Sequence, residues 1–435
     1  MTTYFAAHAW LPAGLADRVC IEVDGARITT VRADAEREPA DVALPGLVLP
    51  GFANTHSHAF HRALRGRTHG DGGTFWTWRE QMYAVAAQLD PDSYHRLARA
   101  VFAEMALAGV TCVGEFHYLH HAPGGVRYAD PNAMGAALMQ AAADAGIRVT
   151  LLDACYLSGG LAADGPQPLA GVQLRFDDVT ADGWSERFAS LRPAANARIG
   201  AAIHSVRAVP REQLPTVVAA AHNMPLHVHL SEQIAENEQC VAAYGLTPMR
   251  LLHEAGALGA SSTAVHATHV TGDDIAELGA SGTSISMCPT TERDLADGIG
   301  PARQLRDAGC PIVLGSDQHA VIDLIEEARA LEMDERLATR TRGRFTPDEL
   351  VEALTVAGHH SLGWPDAGRI EAGARADLVA LRLDTVRTAG ALPAQALLAA
   401  SAADVDTVIV DGRVIVQDGR HHLGDVARLL TDALR

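Results

Sequence analysis

Eight short apolar runs recur along the middle of the chain, and each has the β-branched or alternating character of a buried strand. The stretches between them are rich in Ala and Leu, and residues 93–108 and 133–145 have the pattern of helices. Strands that alternate with helices form parallel sheets, so eight of them predict an α/β fold with a (β/α)8 TIM barrel. Segment 159–190, which is rich in Gly, Pro and Asp, is expected to be a long loop of that barrel. The eight runs are 47–58, 109–117, 147–156, 198–205, 225–232, 263–270, 283–292 and 310–319.

Both ends of the chain carry short alternating strands instead of helices. "VCIEVDGARITTVRAD" surrounds Asp24-Gly25 near the start, and "DTVIVDGRVIVQDGR" surrounds Asp411-Gly412 near the end. Asp-Gly pairs between apolar runs are typical of hairpin turns. We expect the two ends to pair into one small β-sandwich-like domain, with two unrelated β caps as the alternative. The expected domain limits are 1–47 and 367–435 for the β domain and 48–366 for the barrel.

The length predicts the number of domains, and the hydropathy, the N-terminal residues and the cysteines favour a cytoplasmic protein. The 435 residues suit one large domain with a smaller one. The sequence has no run of about 18 apolar residues that would span a membrane, and its N-terminus lacks the layout of a signal peptide. Its six cysteines are scattered without a C-x-x-C pair, as in proteins that keep reduced thiols.

The charged residues restrict both the partners and the chemistry. The formal net charge is −18, which disfavours nucleic acid as a partner and means that an anionic substrate would need local arginines. Every basic residue is arginine, so a Schiff-base lysine and a carboxylated lysine that bridges two metals are both excluded. The 21 histidines, several of them in close groups, favour a metal site.

Histidines and carboxylates gather where the predicted strands end, which is the face at which barrel enzymes place their active sites. Ordinary strand ends carry turn residues, so this convergence indicates a functional site. In chain order the residues are His56, His58, Glu115, His117, His204, His227, His229, Glu232, His266, His269, Asp317 and His319.

His56 and His58 form an H-x-H pair at the first strand end, and residues two apart on a strand face the same way. His229 and Asp317 can complete a set of three nitrogens and one oxygen, which suits one Zn(II) with a water in the open position. His227 has the same inward parity as His229, and it is either buried below the metal or the ligand in its place. Fe(II) and Mn(II) are the alternatives to zinc.

Two further residues suit proton transfer at such a metal. Glu232 follows His229 by three residues, past the strand end, where it can move protons without being a ligand. His266 is better placed than His269 to contact the attacking water, and Asp317 can itself accept a proton. Glu115 lies deeper on its strand and is expected to orient a neighbour by hydrogen bonding.

Four segments, "PGFANTHSH", "HVHLSE", "AVHATH" and "VLGSDQH", resemble the amidohydrolase superfamily. The H-x-x-E on the fifth strand resembles the branch of cytosine, guanine and S-adenosylhomocysteine deaminases, which uses one metal and no carboxylated lysine. The β-rich ends resemble the accessory domain of that branch, including "GRIEAGARADLVAL" at 368–381. The resemblance implies a barrel hydrolase with one metal ion per chain.

More specific segments, among them "SHAFHRALRG", "FWTWREQMY", "EFHYLHH" and "IHSVRAV", resemble the N-formimino-L-glutamate deiminase family of histidine degradation. The resemblance implies hydrolysis of that substrate to N-formyl-L-glutamate and ammonia, with Glu232 as the proton shuttle and His266 orienting the water. One departure is His61, which stands where Gln is expected and differs from it in reach. The implied metal ligands are His56, His58, His229 and Asp317, and the implied substrate contacts are His61, Arg79, Tyr118, His204 and Arg207.

Two arginines and a tyrosine suit a substrate with two carboxylates, because a guanidinium binds a carboxylate through paired hydrogen bonds. The alternative is that Arg79 is a surface cation and that the aromatic cluster beside it packs on the barrel rim. His120 and His121 are expected to be solvated or to support the site from outside. The aromatic cluster is Phe75, Trp76 and Trp78.

Two rival functions remain open. The first is the same chemistry on a guanine- or cytosine-type ring, which needs amide-type contacts rather than paired arginines. The second is a non-catalytic barrel that keeps the metal site, and the complete ligand and shuttle set disfavours it. A homodimer is the expected oligomeric state, because two-fold dimers are the commonest soluble oligomers.

Overall fold

The computed structural model describes residues 1–70 and 75–435, apart from the side chains of Phe75 and Trp76. Its strands are β1 Thr2–Leu11, β2 Gly14–Asp24, β3 Arg27–Arg32, β4 Val42–Pro50, β5 Phe52–Ser57, β6 Val110–His117, β7 Arg148–Cys155, β8 Gly160–Ala162, β9 Gly165–Gln167, β10 Ala197–Ile203, β11 Leu226–Leu230, β12 Ser262–His266, β13 Ser284–Met287, β14 Ile312–Leu314, β15 Leu378–Leu381, β16 Val405–Val410, β17 Arg413–Gln417 and β18 Arg420–His421. Its α-helices are α1 Phe75–Gln88, α2 Pro91–Leu107, α3 Ala133–Ala145, α4 Ala181–Ala189, α5 Leu214–Ala220, α6 Ile234–Tyr244, α7 Pro248–Glu254, α8 Gly272–Ser281, α9 Pro289–Asp294, α10 Ala302–Ala308, α11 Leu324–Thr339, α12 Pro347–Leu354, α13 Val356–Ser361 and α14 Val426–Ala433.

Eight strands form a parallel sheet in the order β5-β6-β7-β10-β11-β12-β13-β14, and each predicted apolar run contributes one of them. The two edges meet where β5 ends. Asp317 N donates to His56 O at 2.9 Å, and His58 N donates to Asp317 O at 3.2 Å. The predicted (β/α)8 barrel is confirmed, and the seam that closes it lies among the residues expected to bind metal.

The two chain ends form a second sheet of eight strands, in the order β3-β2-β1-β4-β15-β16-β17-β18. Its two parts join through β4 and β15, which run antiparallel with Leu49 opposite Val379. The shared β domain is therefore confirmed, and the alternative of two unrelated caps is wrong. Both expected hairpins are present, as the pairs β2–β3 and β16–β17. The domain limits stay predictions, and β4 itself crosses the first of them.

A buried arginine joins the barrel to the β domain. Arg148 begins β7, and its Nη1 donates to Asp377 Oδ1 at 3.0 Å, just before β15. Asp411 Oδ1 lies 3.1 Å from the same nitrogen, and the guanidinium lies 5.1 Å from the centre of the Trp364 ring. This charge cluster sits at the amino ends of the barrel strands, where residues serve stability rather than catalysis.

Segment 159–190 is more structured than the expected loop. It contains the hairpin β8–β9, a 3-10 turn over Gly171–Arg175 and helix α4. Helix α4 begins after Thr180, whose hydroxyl accepts from Gly183 N at 3.0 Å, and it buries Trp184 and Phe188 one turn apart. The expectation of a loop is wrong for these residues, because Gly and Pro on either side obscure a short amphipathic helix.

The helices and the cysteines of the described residues agree with two further expectations. No helix within the described ranges is both long and apolar enough to cross a membrane. All six cysteines fall within those ranges, and each is a buried free thiol, as expected for reduced cysteines.

Candidate functional site

Four donor atoms converge at the carboxyl ends of three barrel strands. His56 is on β5 with His58 directly after it, His229 is on β11, and Asp317 follows β14. His56 Nε2 lies 3.1 Å from His229 Nε2 and 3.3 Å from Asp317 Oδ1, and His58 Nε2 lies 3.4 Å from the same oxygen. Tetrahedral zinc with bonds of about 2.0–2.1 Å separates its donors by about 3.3 Å, so these spacings fit one ion.

The protonation of this group also suits a metal. His58 and His229 donate from Nδ1 to main-chain carbonyls at 2.8 Å and 2.7 Å, which leaves their Nε2 lone pairs facing the shared point. Burial lowers the pKa of all three histidines, so they are neutral. Burial alone would raise the pKa of Asp317, but His266, which stays protonated, is the main group that lowers it. Three neutral nitrogens and one anionic oxygen are a set that divalent transition metals bind.

His227, the other candidate ligand on β11, lies away from the donor group. It is fully buried, with Nε2 3.4 Å from Ser361 O, and burial lowers its pKa to about 4. Of the two interpretations left open by strand parity, the structure therefore brings His229 to the donor group and keeps His227 in the core.

Glu232 and His266 lie beside the donor group. Glu232 Oε1 is 3.8 Å from His266 Nε2, which is also 3.8 Å from Asp317 Oδ2, and His266 Nδ1 is 3.5 Å from Glu292 Oε1. Burial alone would lower the pKa of His266, but these carboxylates raise it to about 10. Burial raises the pKa of Glu232, so this carboxyl binds a proton more readily than an exposed one. Such a pair suits proton transfer.

The main chain at this face adopts left-handed conformations that favour glycine. The angle φ is +70° at His266, +42° at Asp317 and +49° at Ser231. Residues with a Cβ in such conformations cost roughly 1–3 kcal/mol each, and they persist where the surrounding structure holds them. Their concentration around the donor group is typical of a functional site.

A cavity of about 590 Å³, its open mouth included, lies above the donor group. Arg79 is half-buried and lines the cavity from α1, rather than lying on the open surface. Trp78 is buried in the same wall, whereas the side chains of Phe75 and Trp76 fall outside the described residues. The lining is completed by His58, His61, Met82, Tyr83, Tyr118, Tyr156, Phe176, His204, Arg207, His229, Glu232, His266, Leu295 and Asp317. All five residues expected to contact substrate therefore line one cavity.

Two carboxylates form ion pairs with Arg207. Its Nη2 lies 3.6 Å from Glu232 Oε2, and its Nε lies 3.3 Å from Glu236 Oε2. Glu236 is fully buried, and burial raises its pKa. Glu236 was not predicted from the sequence, although its position four residues after Glu232, in the first turn of α6, is a signal that could have indicated it.

His61 and Tyr118 form one unit in the cavity wall. His61 Nε2 lies 2.9 Å from Tyr118 OH, and the His61 ring lies 4.5 Å from the ring of His58. Burial raises the pKa of Tyr118 well above its usual value, so it remains a hydroxyl. The ring of His204 lies 4.5 Å from that of Tyr156, which the sequence analysis missed. Tyr156 directly follows β7, so the strand-end criterion could have found it.

Three other candidates support the site from outside the cavity. Glu115 accepts a hydrogen bond from Ser57 Oγ at 2.6 Å, and so orients a neighbour as expected. His120 and His121 were expected to be solvated or to support the site from outside, and both are buried, which leaves the second alternative. His120 Nε2 donates to Ala154 O on β7 at 2.9 Å, and His121 Nε2 donates to Asp178 Oδ1, in the segment before α4, at 3.1 Å.

The fold and the site define a barrel hydrolase with a metal centre at the carboxyl ends of its strands. The chain belongs to the amidohydrolase family, whose sequence model matches residues 47–415. It is 38% identical to a formimidoylglutamate deiminase from Pseudomonas aeruginosa, over 97% of this chain and 96% of that protein. It is 31% identical to an 8-oxoguanine deaminase from the same species, over 88% of this chain and 85% of that protein. The crystal structure of an amidohydrolase from Brucella melitensis matches with a TM-score of 0.90 at 31% identity, over 100% of this chain and 99% of that one.

Proposed function

We propose that this chain hydrolyses N-formimino-L-glutamate to N-formyl-L-glutamate and ammonia, as a step of histidine degradation. One observation carries the proposal: the proton-transfer pair Glu232 and His266 shares a single cavity with the cations Arg79 and Arg207. Similarity to the Pseudomonas deiminase along nearly the whole chain supports the same substrate. The chain is accordingly a hydrolase that acts on C–N bonds of a linear amidine.

We assign one divalent metal ion per chain to the donor group. Zinc is the first choice, and Fe(II) and Mn(II) are alternatives for this set of three nitrogens and one oxygen. When bound, such an ion supplies a water activated for attack near neutral pH. A single ion agrees with a sequence that has no lysine to bridge two. The residues that hold it are His56, His58, His229 and Asp317.

The positions of three side chains indicate the path of proton transfer. His266 orients the attacking water through Nε2, while Glu292 holds the other side of the ring. Oxygen bonds to the formimino carbon, and Glu232 takes a proton from the water and delivers it to the terminal nitrogen. Asp317 accepts the second proton of the water as the oxygen becomes a carbonyl, and this proton passes to the departing nitrogen, which thereby has the three hydrogens of ammonia. The bond from carbon to the terminal nitrogen then breaks, ammonia leaves, and the carbon keeps oxygen as the formyl group.

The substrate's carboxylates account for the cations in the cavity. We assign them to Arg79, Arg207 and Tyr118, with His204 beside the amidine and His61 in contact with Tyr118. A carboxylate that binds Arg207 competes with Glu232 for the guanidinium and so frees Glu232 for proton transfer. Binding and proton transfer are thereby linked through one contact.

The direct test is to load the purified protein with Zn(II), supply N-formimino-L-glutamate, and measure ammonia and N-formyl-L-glutamate together. Equal amounts of the two products are expected. Formamide and glutamate instead would show that the other C–N bond breaks. Removal of the metal by a chelator should abolish turnover, and Zn(II) should restore it. Guanine and cytosine serve as parallel substrates, and release of ammonia from a base alone would overturn the substrate assignment.

A ring aminohydrolase is the second candidate, because an 8-oxoguanine deaminase is also related. A neutral ring leaves Arg79 and Arg207 without carboxylates to bind, which favours the linear substrate. A homodimer and a cytoplasmic location stay predictions, and light scattering of the purified protein tests the first of these.

A further inference from the structure

Arg175 is a buried arginine whose guanidinium bonds to the main chain. It ends the 3-10 turn Gly171–Arg175, and its side chain is 1% exposed. Each of its three nitrogens donates to a main-chain carbonyl. Nε donates to His121 O at 2.8 Å, one terminal nitrogen donates to Leu89 O at 2.6 Å, and the other donates to Ala86 O. The guanidinium thereby links three segments that are distant in sequence.

Two of these carbonyls lie at the carboxyl end of α1, with Ala86 O in its last turn and Leu89 O one residue past it. Helix α1 closes at Gln88, and the last carbonyls of a helix lack partners within the helix. They also lie at the negative end of the helix dipole, where a cation is favoured. Ala86 O also accepts a long main-chain bond from Leu89 N at 3.4 Å, and Arg175 adds a donor with a charge of the preferred sign to both carbonyls.

Helix α1 carries one wall of the cavity. Trp78, Arg79, Met82 and Tyr83, which lie within two adjacent turns of the helix, all line it. The position of Arg79 in the cavity wall therefore depends on how α1 is held, and Arg175 holds the carboxyl end of that helix.

The third carbonyl belongs to the loop that follows Tyr118. Arg175 also accepts from this loop through its own main-chain oxygen, with His120 N at 3.0 Å and His121 N at 2.9 Å. In the same turn, Gln173 Nε2 donates to Tyr83 OH at 3.1 Å. The turn therefore connects the helix of Arg79 with the loop of Tyr118 through both main-chain and side-chain bonds.

We propose that Arg175 is a positioning residue for the carboxylate-binding side of the cavity. It fixes the position of α1 relative to the loop that follows Tyr118. The proposal rests on the function proposed above, in that the substrate carries carboxylates for Arg79 and Tyr118 to bind. Arg175 does not contact substrate itself. Lysine can replace it only in part, because a single ammonium lacks the planar set of three donor nitrogens that reaches three carbonyls at once.

The test compares Arg175→Met and Arg175→Lys with the wild-type protein, each loaded with zinc. In Arg175→Met we expect KM for N-formimino-L-glutamate to rise by about tenfold or more, with kcat within about threefold and metal content unchanged. Arg175→Lys should lie between this variant and the wild type. Arg148→Met is the matched control, because it removes an equally buried arginine at the opposite end of the barrel. It should lower thermal stability and leave KM unchanged.

Hydrogen exchange separates this proposal from the proposed function. Amides of 77–89 and 118–121 should exchange faster in Arg175→Met than in the wild type, whether or not the wild type turns over the formimino substrate. Absence of turnover by the wild type would therefore overturn the proposed function alone. Unchanged exchange in both segments, or a wild-type KM, would overturn the role of Arg175. If Arg175→Met does not fold, Arg175→Lys decides: a wild-type KM in that variant overturns the proposal.

Discussion

The hydroxyl of Ser57 donates a hydrogen bond of 2.6 Å to Glu115 Oε2, and this bond holds the residue between the two histidines of the H-x-H pair. The second Glu115 oxygen accepts from Ala59 N at 2.7 Å, so one carboxylate holds the strand end on both sides of the second histidine. On the far side, Ser57 Oγ lies 3.1 Å from His319 Nε2. The direction in which the two histidines point is therefore fixed from outside the donor group.

Glu115→Gln should weaken metal binding by about 10–100-fold, as for loss of a partner that orients metal ligands. The amide offers one oxygen where two donors, Ser57 and Ala59, require two. The metal dissociation constant, measured by competition with a chromophoric chelator, is the readout. Glu254→Gln is the control, because Glu254 is a half-exposed partner of Arg211 and should leave the constant unchanged. Wild-type affinity in Glu115→Gln would contradict the supporting role.

Glu232→Gln should retain the metal and lose about a hundredfold or more in kcat, because the amide cannot carry a proton to the leaving nitrogen. Glu236→Gln makes the same chemical change one turn further on. Glu236 forms an ion pair with Arg207 and lies outside the cavity lining. Because its loss acts on Arg207 and not on proton transfer, this control should raise KM more than it lowers kcat. Full activity in Glu232→Gln would remove Glu232 from the mechanism.

The fold was predictable because the sequence features that indicate each strand and helix lie within that element or next to it. Each barrel strand is a short apolar run between turn residues, and a parallel sheet follows from helices in between. The shared β domain required one inference across the chain, which the similar turns at Asp24 and Asp411 supported. Helix α4 was not predicted, because the Gly and Pro residues around Trp184 and Phe188 favour a loop. These two residues are the ones that stabilise the helix.

The arrangement of the candidate site was predictable where a residue's position depends on its own strand. His56, His58, His229 and Asp317 each stand at or just after a strand end, and barrel geometry brings such positions together. The rest depends on contacts between segments far apart in sequence. The partners of Arg175 come from α1 and from the loop after β6, and no periodicity in the sequence indicates that these segments meet.

Arg207→Ala should raise KM by about tenfold or more with a smaller change in kcat, because it removes the guanidinium that we assign to a substrate carboxylate, a group that arginine binds through two hydrogen bonds. Arg207→Lys keeps the charge without the paired geometry and should lie between. Arg211→Ala, four residues on and half-exposed, is the control and should behave as the wild type. An unchanged KM in Arg207→Ala would count against its contact with the carboxylate.

His61→Gln should keep KM within about threefold of the wild type, because a glutamine amide can replace the imidazole as the hydrogen-bonding partner of Tyr118 OH. His61→Leu has a similar volume without a polar atom, so it leaves Tyr118 without its 2.9 Å partner, and KM should rise by about tenfold. Steady-state kinetics of the pair test the contact. Equal KM values for the two variants would show that the bond to Tyr118 has no part in substrate binding.

Asp377→Asn should destabilise the protein at neutral pH by about 3 kcal/mol, because it leaves the buried guanidinium of Arg148 with a weakened partner. Burial alone would raise the pKa of Asp377, but Arg148 lowers it in the folded protein. An unfolded aspartate has a pKa of about 3.9, so the stabilisation is present above that pH and is lost as the pH falls through the folded value.

The difference between wild type and Asp377→Asn in urea should therefore be largest near pH 7 and should narrow below about pH 4. Asp384→Asn is the control, because Asp384 pairs with Arg382 on the exposed surface, where screening by water leaves little to lose. Equal unfolding midpoints for wild type and Asp377→Asn at pH 7 would mean that Asp411, 3.1 Å from Arg148, compensates the charge alone. The double variant Asp377→Asn with Asp411→Asn would then show the full loss.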